Sequence, residues 1–162
     1  MITILDLDNC ISDDAWRIPT IDWEQQDLDV RYLQYHALSA FDAVGNRELF
    51  AGLEPLSCLI LTARPIHLFL QTVEWLRRAE VPVLGLMMRP SGDHTPSAKM
   101  KLSMLSVAMD QLKIGIEDIG AAYDDRQDIV DMYRSLGIPA ERRFIHTLEA
   151  HLPPADVRMK MN

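Results

Sequence analysis

Short apolar runs, each closed by a polar cluster, recur along the chain with helical patterns between them. The first, Ile2–Leu5, has only Thr3 among apolar β-formers, the pattern of a strand buried on both faces, and it runs into Asp6 and Asp8. A second run, residues 56–61, ends in Thr62-Ala63-Arg64-Pro65. A third lies within residues 81–88, with Pro82 at its start, where a missing backbone donor is tolerated. A fourth, residues 119–123, ends in Asp124-Asp125-Arg126-Gln127-Asp128, and residues 142–146 read as a last strand.

The intervening segments carry helical spacing. Residues 66–79 place Leu68, Phe69, Val73, Leu76 and Ala79 roughly on one side, with Pro65 suited to the first turn. A helix from Ser97 as N-cap to about Leu112 turns Met100, Met104, Ala108 and either Met109 or Leu112 inward, and carries Lys99 and Lys101 in its first turns. Residues 129–136 form a helix closed by Gly137, a residue suited to the left-handed C-terminal position. Strands alternating with helices predict an α/β fold with a parallel sheet covered on both faces. Ligands of such sheets bind beyond the carboxyl ends of the strands, where three of the polar clusters fall.

Between Cys10 and Pro55 the pattern is irregular. Ser12-Asp13-Asp14 reads as a turn or helix cap, Trp16, Ile18, Ile21 and Trp23 follow in a short segment, and residues 27–43 suggest one or two amphipathic helices. Another short helix is expected near residues 46–53. The segment is too long for a plain connection, so residues 12–55 read as a small, cap-like helical insertion over the strand ends. No internal repeat or domain boundary is evident, and residues 1–162 read as one domain with a tail, expected to be unstructured, from residue 153.

Composition narrows the function classes. The 162 residues are 48% apolar and 25% charged, ordinary for a globular chain, with no apolar run approaching a membrane span. The first strand begins at once, so no presequence is expected. Cys10 and Cys58 lack metal-ligand spacing and point to a reducing cytoplasm. The net charge of −8 disfavours a long duplex footprint but not one phosphorylated ligand, because a bound cation reverses the local field.

A buried strand that ends in two carboxylates needs something to offset their repulsion and desolvation. Mg²⁺ does so with one or two carboxylates, waters and phosphate oxygens. The plainer reading of Asp6 and Asp8 is a strand that ends in solvent.

The order Asp-x-Asp, strand-end Thr62, Lys, then Asp124-Asp125 resembles the haloacid dehalogenase superfamily of phosphohydrolases over residues 2–128. The resemblance implies a Rossmann-like parallel sheet, Mg²⁺ and an aspartyl-phosphate intermediate. Asp6 would be the nucleophile. Asp8 would be the general acid and base, its pKa raised by crowding beside Asp6. Thr62 would hold a phosphoryl oxygen and Lys101, preferred to Lys99, would neutralise developing charge. Asp6, the Asp8 carbonyl and Asp124 would hold the metal, with Asp125 and Asp128 orienting the site. Asn9 and Cys10 stand where the family has Gly and Thr, and Asn tolerates the glycine-like conformation.

Residues 57–146 are similar, more narrowly, to the 3′-phosphatase domain of phage-type polynucleotide kinase. The similarity rests on Thr62-Ala63-Arg64, the Gly92-Asp93 loop leading to Lys101, and Tyr123-Asp124-Asp125-Arg126 through Tyr133 and Gly137. It implies a nucleotide or a nucleic-acid end as substrate, contacted by Arg64 with Asn9 and Ala63, in a phage or bacterial cytoplasmic setting. Ser97 stands where that domain has an acidic residue, and no Gly-x-x-x-x-Gly-Lys-Ser/Thr loop marks a kinase half. Trp16, Arg17, Tyr32, Tyr35 and His36 of the insertion are candidates to hold a base or sugar. Alternatives are a 5′-nucleotidase or general small-molecule phosphatase, a catalytically silent phosphate-binding protein, and a receiver-like signalling module. The last fits poorly, because the third strand ends without Asp.

Overall fold

Successive side chains of a strand point to opposite faces, which sends Ile4 to one side and Leu5 to the other, and both are fully buried. In the computed structural model, which describes residues 1–147 and Pro153, this strand (β1, Ile2–Leu5) is the middle of a five-stranded parallel sheet. A separate antiparallel pair, β2 (Ser12–Asp13) and β3 (Ala43–Val44), follows in the chain. Then come β4 (Cys58–Pro65), β5 (Val83–Arg89), β6 (Ile119–Asp124) and β7 (Ala140–Arg142), and the large sheet has the order β5-β4-β1-β6-β7. The order reverses at β1, between β4 and β6, which sets the site crevice there. The α-helices are α1 (Leu28–Arg31), α2 (Leu33–Ala37), α3 (Phe69–Arg78), α4 (Ser97–Leu112) and α5 (Gln127–Ser135).

Two apolar layers hold the sheet. On one face Ile4, Leu59, Leu61 and Ala122 meet Met100, Met104 and Leu105 of α4 and Ile129 and Tyr133 of α5. On the other, Leu5, Cys58 and Ile60 meet Trp75 and Leu76 of α3. Each fully buried Leu or Ile contributes about 1.5–3 kcal/mol, so these layers carry most of the fold's stability. The chain thus has the parallel α/β sheet, covered on both faces, that the alternation predicts, and the Rossmann-like form that the resemblance implies.

Several boundaries differ from expectation. The second strand starts at Cys58 and continues through Pro65, whose partner is Arg89, because Thr62 pairs on with Met88 and extends the ladder. Leu56 instead turns the chain at φ 55° and is exposed. Phe69 and Val73 of α3 are exposed, while Thr72 and Trp75 face the core. Ser97 does not cap α4; Pro96 holds that position and Ser97 Oγ accepts from Arg89. Residues 143–147 are not a strand: their amides turn back to Asp124 and Asn9 instead of extending a ladder. The left-handed positions at Gly137 (φ 85°) and Asn9 (φ 60°) are as expected.

The insertion is built of single turns, not of long amphipathic helices. Asp27 caps α1 through the amides of Asp29 and Val30, but Leu28, Val30 and Leu33 stay exposed, so no continuous apolar face extends the helix. A 3₁₀ turn, Arg47–Leu49, stands where a helix over 46–53 is expected. The segment has its own small core of Ile18, Ile21 and Tyr35, flanked by Trp23 and Tyr32. It is tied to α3 by Trp75 Nε1, which donates to the Asp42 carbonyl at 2.8 Å. No described helix is long and apolar enough to cross a membrane. Apart from Pro153, the tail from residue 153 lies outside the described residues.

Candidate active site

β1 delivers Asp6 and β6 delivers Asp124 to neighbouring positions at the carboxyl ends of the sheet, with Asp125 next in the chain. One oxygen from each of the three buried carboxylates lies within 4.8 Å of the others. Lys101, in the first turns of α4, reaches under them: its Nζ donates to Asp6 Oδ1 and to Asp124 Oδ2, each at 2.6 Å. Lys99 is exposed. Burial would lower the pKa of Lys101, but Asp124 and Asp6 outweigh it and hold the ammonium well above its ordinary range. Burial pushes Asp6 up to about 7, against the pull of Lys101 and with the push of Asp124. Burial, then Asp6 and Asp124, push Asp125 up to about 8.

One ammonium among three carboxylates leaves an excess of negative charge in a water-poor place. The donor set is all hard oxygen, which fits a divalent cation of the Mg²⁺ kind. The carboxylates that could hold one are Asp6, Asp124 and Asp125. The side chain of Asp8 is not part of this cluster, and Asp128 stands apart, paired with Arg126 at 2.8 Å.

Asp8 points the other way. Arg64 donates to its Oδ1 through Nε at 3.0 Å and Nη2 at 2.7 Å, and Arg17 Nη2 donates to the same oxygen. Burial alone would raise the Asp8 pKa, yet Arg64 and then Arg17 outweigh it and hold the carboxyl well below the usual carboxylate range. The expectation that crowding by Asp6 raises this pKa is therefore reversed: two guanidiniums act on Asp8 more strongly than one carboxylate. Both arginines are fully buried and share a second carboxylate, Asp42, which also accepts from Ser12 and Trp16.

A cavity of about 970 Å³ opens above these groups, between the insertion and the loop of residues 90–96. Asp6, Asp8, Lys101, Asp124 and Asp125 form its floor, with Thr62 and Ala63 beside them. Tyr32, Tyr35 and His36 stand on the insertion's wall. His36 is pushed down to about 4 by burial, so it is neutral near pH 7. Arg17 and Trp16, expected to meet a base or sugar, are not on the wall: Arg17 lies under Tyr35, 4.1 Å from its ring centroid, and Trp16 donates to Asp42. Arg64, expected to meet substrate, is buried behind Asp8, off the cavity wall, with only its Nη1 lacking a partner. Asn9 is likewise fully buried and bonds Asp125, not the cavity.

Residues 2–142 match the polynucleotide kinase PNKP phosphatase domain. The chain belongs to that family. This phosphatase domain is a phosphohydrolase of haloacid dehalogenase type. A chain of the Pnkp1/Rnl/Hen1 RNA repair complex superposes with a TM-score of 0.60 at 19% identity, over 90% of this chain and 43% of that one. The domain therefore spans less than half the length of that relative. A haloacid dehalogenase-like hydrolase from Streptococcus pneumoniae superposes with a TM-score of 0.63 at 12% identity, over 99% of this chain and 98% of that one. No curated protein matches the sequence.

Asp42, Arg89, His67 and His94 carry no mark in the sequence, and Arg126 is marked there only as part of a motif, without a role. Asp42 sits in an irregular segment with no spacing relation to Asp8. The other four lie on the cavity wall, and among these His94 faces Asp29 of α1 at 3.5 Å across the cavity mouth.

Proposed function

We propose that this phosphatase domain hydrolyses a phosphomonoester at a nucleotide or at the 3′ end of a nucleic acid, with Mg²⁺ and an aspartyl-phosphate intermediate. The observation that carries the reading is Lys101 bridging Asp6 and Asp124 beneath an open cavity. It presents one carboxylate, Asp6, beside a fixed positive charge at the place where a phosphoryl group would sit.

In the first half-reaction an Asp6 oxygen attacks phosphorus and the bond to the leaving oxygen breaks, with the proton that oxygen needs coming from Asp8. In the second, water attacks the phosphorus, gives its proton to Asp8, and releases phosphate from Asp6. An Asp8 carboxyl held ionised by Arg64 and Arg17 suits this second step directly. For the first step it must take up a proton as substrate loosens its hold on Arg64 or Arg17. Arg64 thus works through Asp8. Thr62 and Lys101 would hold the phosphoryl oxygens. Mg²⁺ bound by Asp6, Asp124 and Asp125, with the Asp8 carbonyl, would neutralise the charge of the phosphoryl group and of the carboxylates together.

Tyr32 and Tyr35 would hold the sugar or base. The net charge of −8 disfavours a long phosphate backbone, which favours a mononucleotide or a strand end over a long duplex. Likeness to a member of an RNA repair complex supports the nucleic-acid end, and the cytoplasm is the expected setting.

The test is phosphate release with Mg²⁺ from a 3′-phosphorylated oligonucleotide, 3′- and 5′-mononucleotides and an aryl phosphate. Preference for the oligonucleotide or the 3′-mononucleotide is expected. Preference for the 5′-mononucleotide would make the domain a 5′-nucleotidase. Failure on all four substrates would leave a phosphate-binding protein.

A further inference from the structure

Asn9 occupies a left-handed backbone position, φ 60°, that a glycine would fill more easily, and its side chain is fully buried. Every hydrogen-bonding position of that side chain is used. Nδ2 donates to Asp125 Oδ2 at 3.1 Å and to the His146 carbonyl at 3.0 Å. Oδ1 accepts from the amides of Ile145 at 3.1 Å and His146 at 2.8 Å. Turning the amide over would set an NH₂ against two N–H groups and an oxygen against a carboxylate, so the network fixes its orientation.

The segment that Asn9 grips, residues 143–147, is itself held from other sides. Ile145 N also donates to the Asn9 carbonyl at 2.9 Å, and Arg143 N to that of Asp124 at 2.9 Å. His146 Nε2 lies 2.6 Å from Asp14 Oδ1, and the other Asp14 oxygen accepts from Tyr35 of the cavity wall. The Ile145 side chain fills the space over Gly45, where a Cβ would lie 2.4 Å from Ile145 Cδ1. A continuous hydrogen-bonded path thus runs from Asp125 through Asn9, His146 and Asp14 to Tyr35, joining the carboxylate cluster to the opposite wall.

We propose that Asn9 is a positioning residue through which the segment 143–147 sets Asp125 in the divalent-cation site. The role rests on the reading of Asp6, Asp124 and Asp125 as that site. Asn suits it because it accepts the left-handed backbone and still offers both a donor and an acceptor. Glycine would relieve the backbone and lose all four bonds.

Calorimetric titration with Mg²⁺ of the wild type, Asn9→Gly and Gly45→Ala, with melting curves of each, tests the proposal. Asn9→Gly is expected to weaken Mg²⁺ binding about tenfold, the usual effect of losing a partner of a metal ligand. Its kcat is expected to return to within about threefold of wild type at saturating Mg²⁺. Gly45→Ala moves Ile145 without touching a polar group and is expected to weaken Mg²⁺ binding by a smaller factor. Asn9→Gly with wild-type Mg²⁺ affinity would overturn the proposal, as would a loss of kcat that saturating Mg²⁺ does not restore. If Asn9→Gly does not fold, Gly45→Ala decides, and an unchanged affinity there would overturn it. Absence of Mg²⁺ binding by the wild type would remove the cation site itself, and this role with it.

Discussion

Replacing Lys101 with Met keeps most of the side chain's volume and removes only the ammonium. The structure sets the expected cost. Nζ lies 2.6 Å from an oxygen of both Asp6 and Asp124, and all three side chains are at most 8% exposed. At an effective dielectric of ~20, each contact is worth roughly 6 kcal/mol of attraction, much of it offset by the desolvation of a buried ammonium. Removing one partner of a buried pair costs about 3–5 kcal/mol, because the charge left behind has no counterpart. Two carboxylates are left here, so the upper end of that range is expected for protein in EDTA, read from urea denaturation near pH 8. Added Mg²⁺ should recover part of the loss, since it supplies positive charge to the same oxygens. Phosphate release should nonetheless fall by about 10²–10³ with Mg²⁺ present, the usual effect of losing one oxyanion-stabilising group. A loss below about 1 kcal/mol in EDTA, or activity within about tenfold of wild type, would refute the claim that this ammonium neutralises the site.

Three further outcomes follow from the same geometry. Asp6 and Asp125 have folded-state pKa values of about 7 and about 8, above the ordinary 3.8. The folded state therefore holds these protons more tightly, and the stability this gives is lost as pH rises. In EDTA the unfolding free energy should fall as pH rises from about 4 to 8, by up to about 1.4 kcal/mol per pH unit for each group until its folded-state pKa is passed, and saturating Mg²⁺ should flatten the fall; a free energy that rises with pH over this range would contradict this. Asp42→Asn should cost about 3 kcal/mol in urea denaturation, because it leaves the buried guanidiniums of Arg17 and Arg64 with one partly exposed carboxylate, Asp8, between them, and a neutral result would show the network to be dispensable. Tyr32→Leu should raise KM for a nucleotide substrate by at least about fivefold, from the roughly 1–3 kcal/mol of a base stack, and leave KM for an aryl phosphate unchanged; equal effects on both would deny a base its place on that wall.

The sheet was legible because a strand buried on both faces is a continuous apolar run, and the polar residues that close each run mark the site end. Lys101 could be preferred to Lys99 from its place in the helix, and the fold puts Lys101 inside and Lys99 in solvent. The ionisation of Asp8 was not legible. Asp6 is two residues away in sequence, but the groups that decide the matter are remote: Arg64 comes from the end of β4, and Arg17 from the insertion folded onto the sheet. The bonds of Asn9 to residues 145 and 146 span 136 and 137 positions, and no local pattern announces such a contact. The insertion misled for another reason: Leu28, Tyr32, Tyr35, Leu38 and Phe41 have helical spacing, but Leu28 and Phe41 remain exposed, so spacing alone overstated the helices.

The mechanism turns on Asp6 as the nucleophile. Wild type and Asp6→Asn would be mixed with Mg²⁺ and a substrate carrying a labelled phosphate, quenched in acid within milliseconds, and digested for peptide analysis. A nucleophilic role for Asp6 requires a hydroxylamine-sensitive label on the peptide containing Asp6 in the wild type, and neither label nor turnover in Asp6→Asn. Turnover by Asp6→Asn, or rapid wild-type turnover with no labelled protein at any quench time, would contradict it.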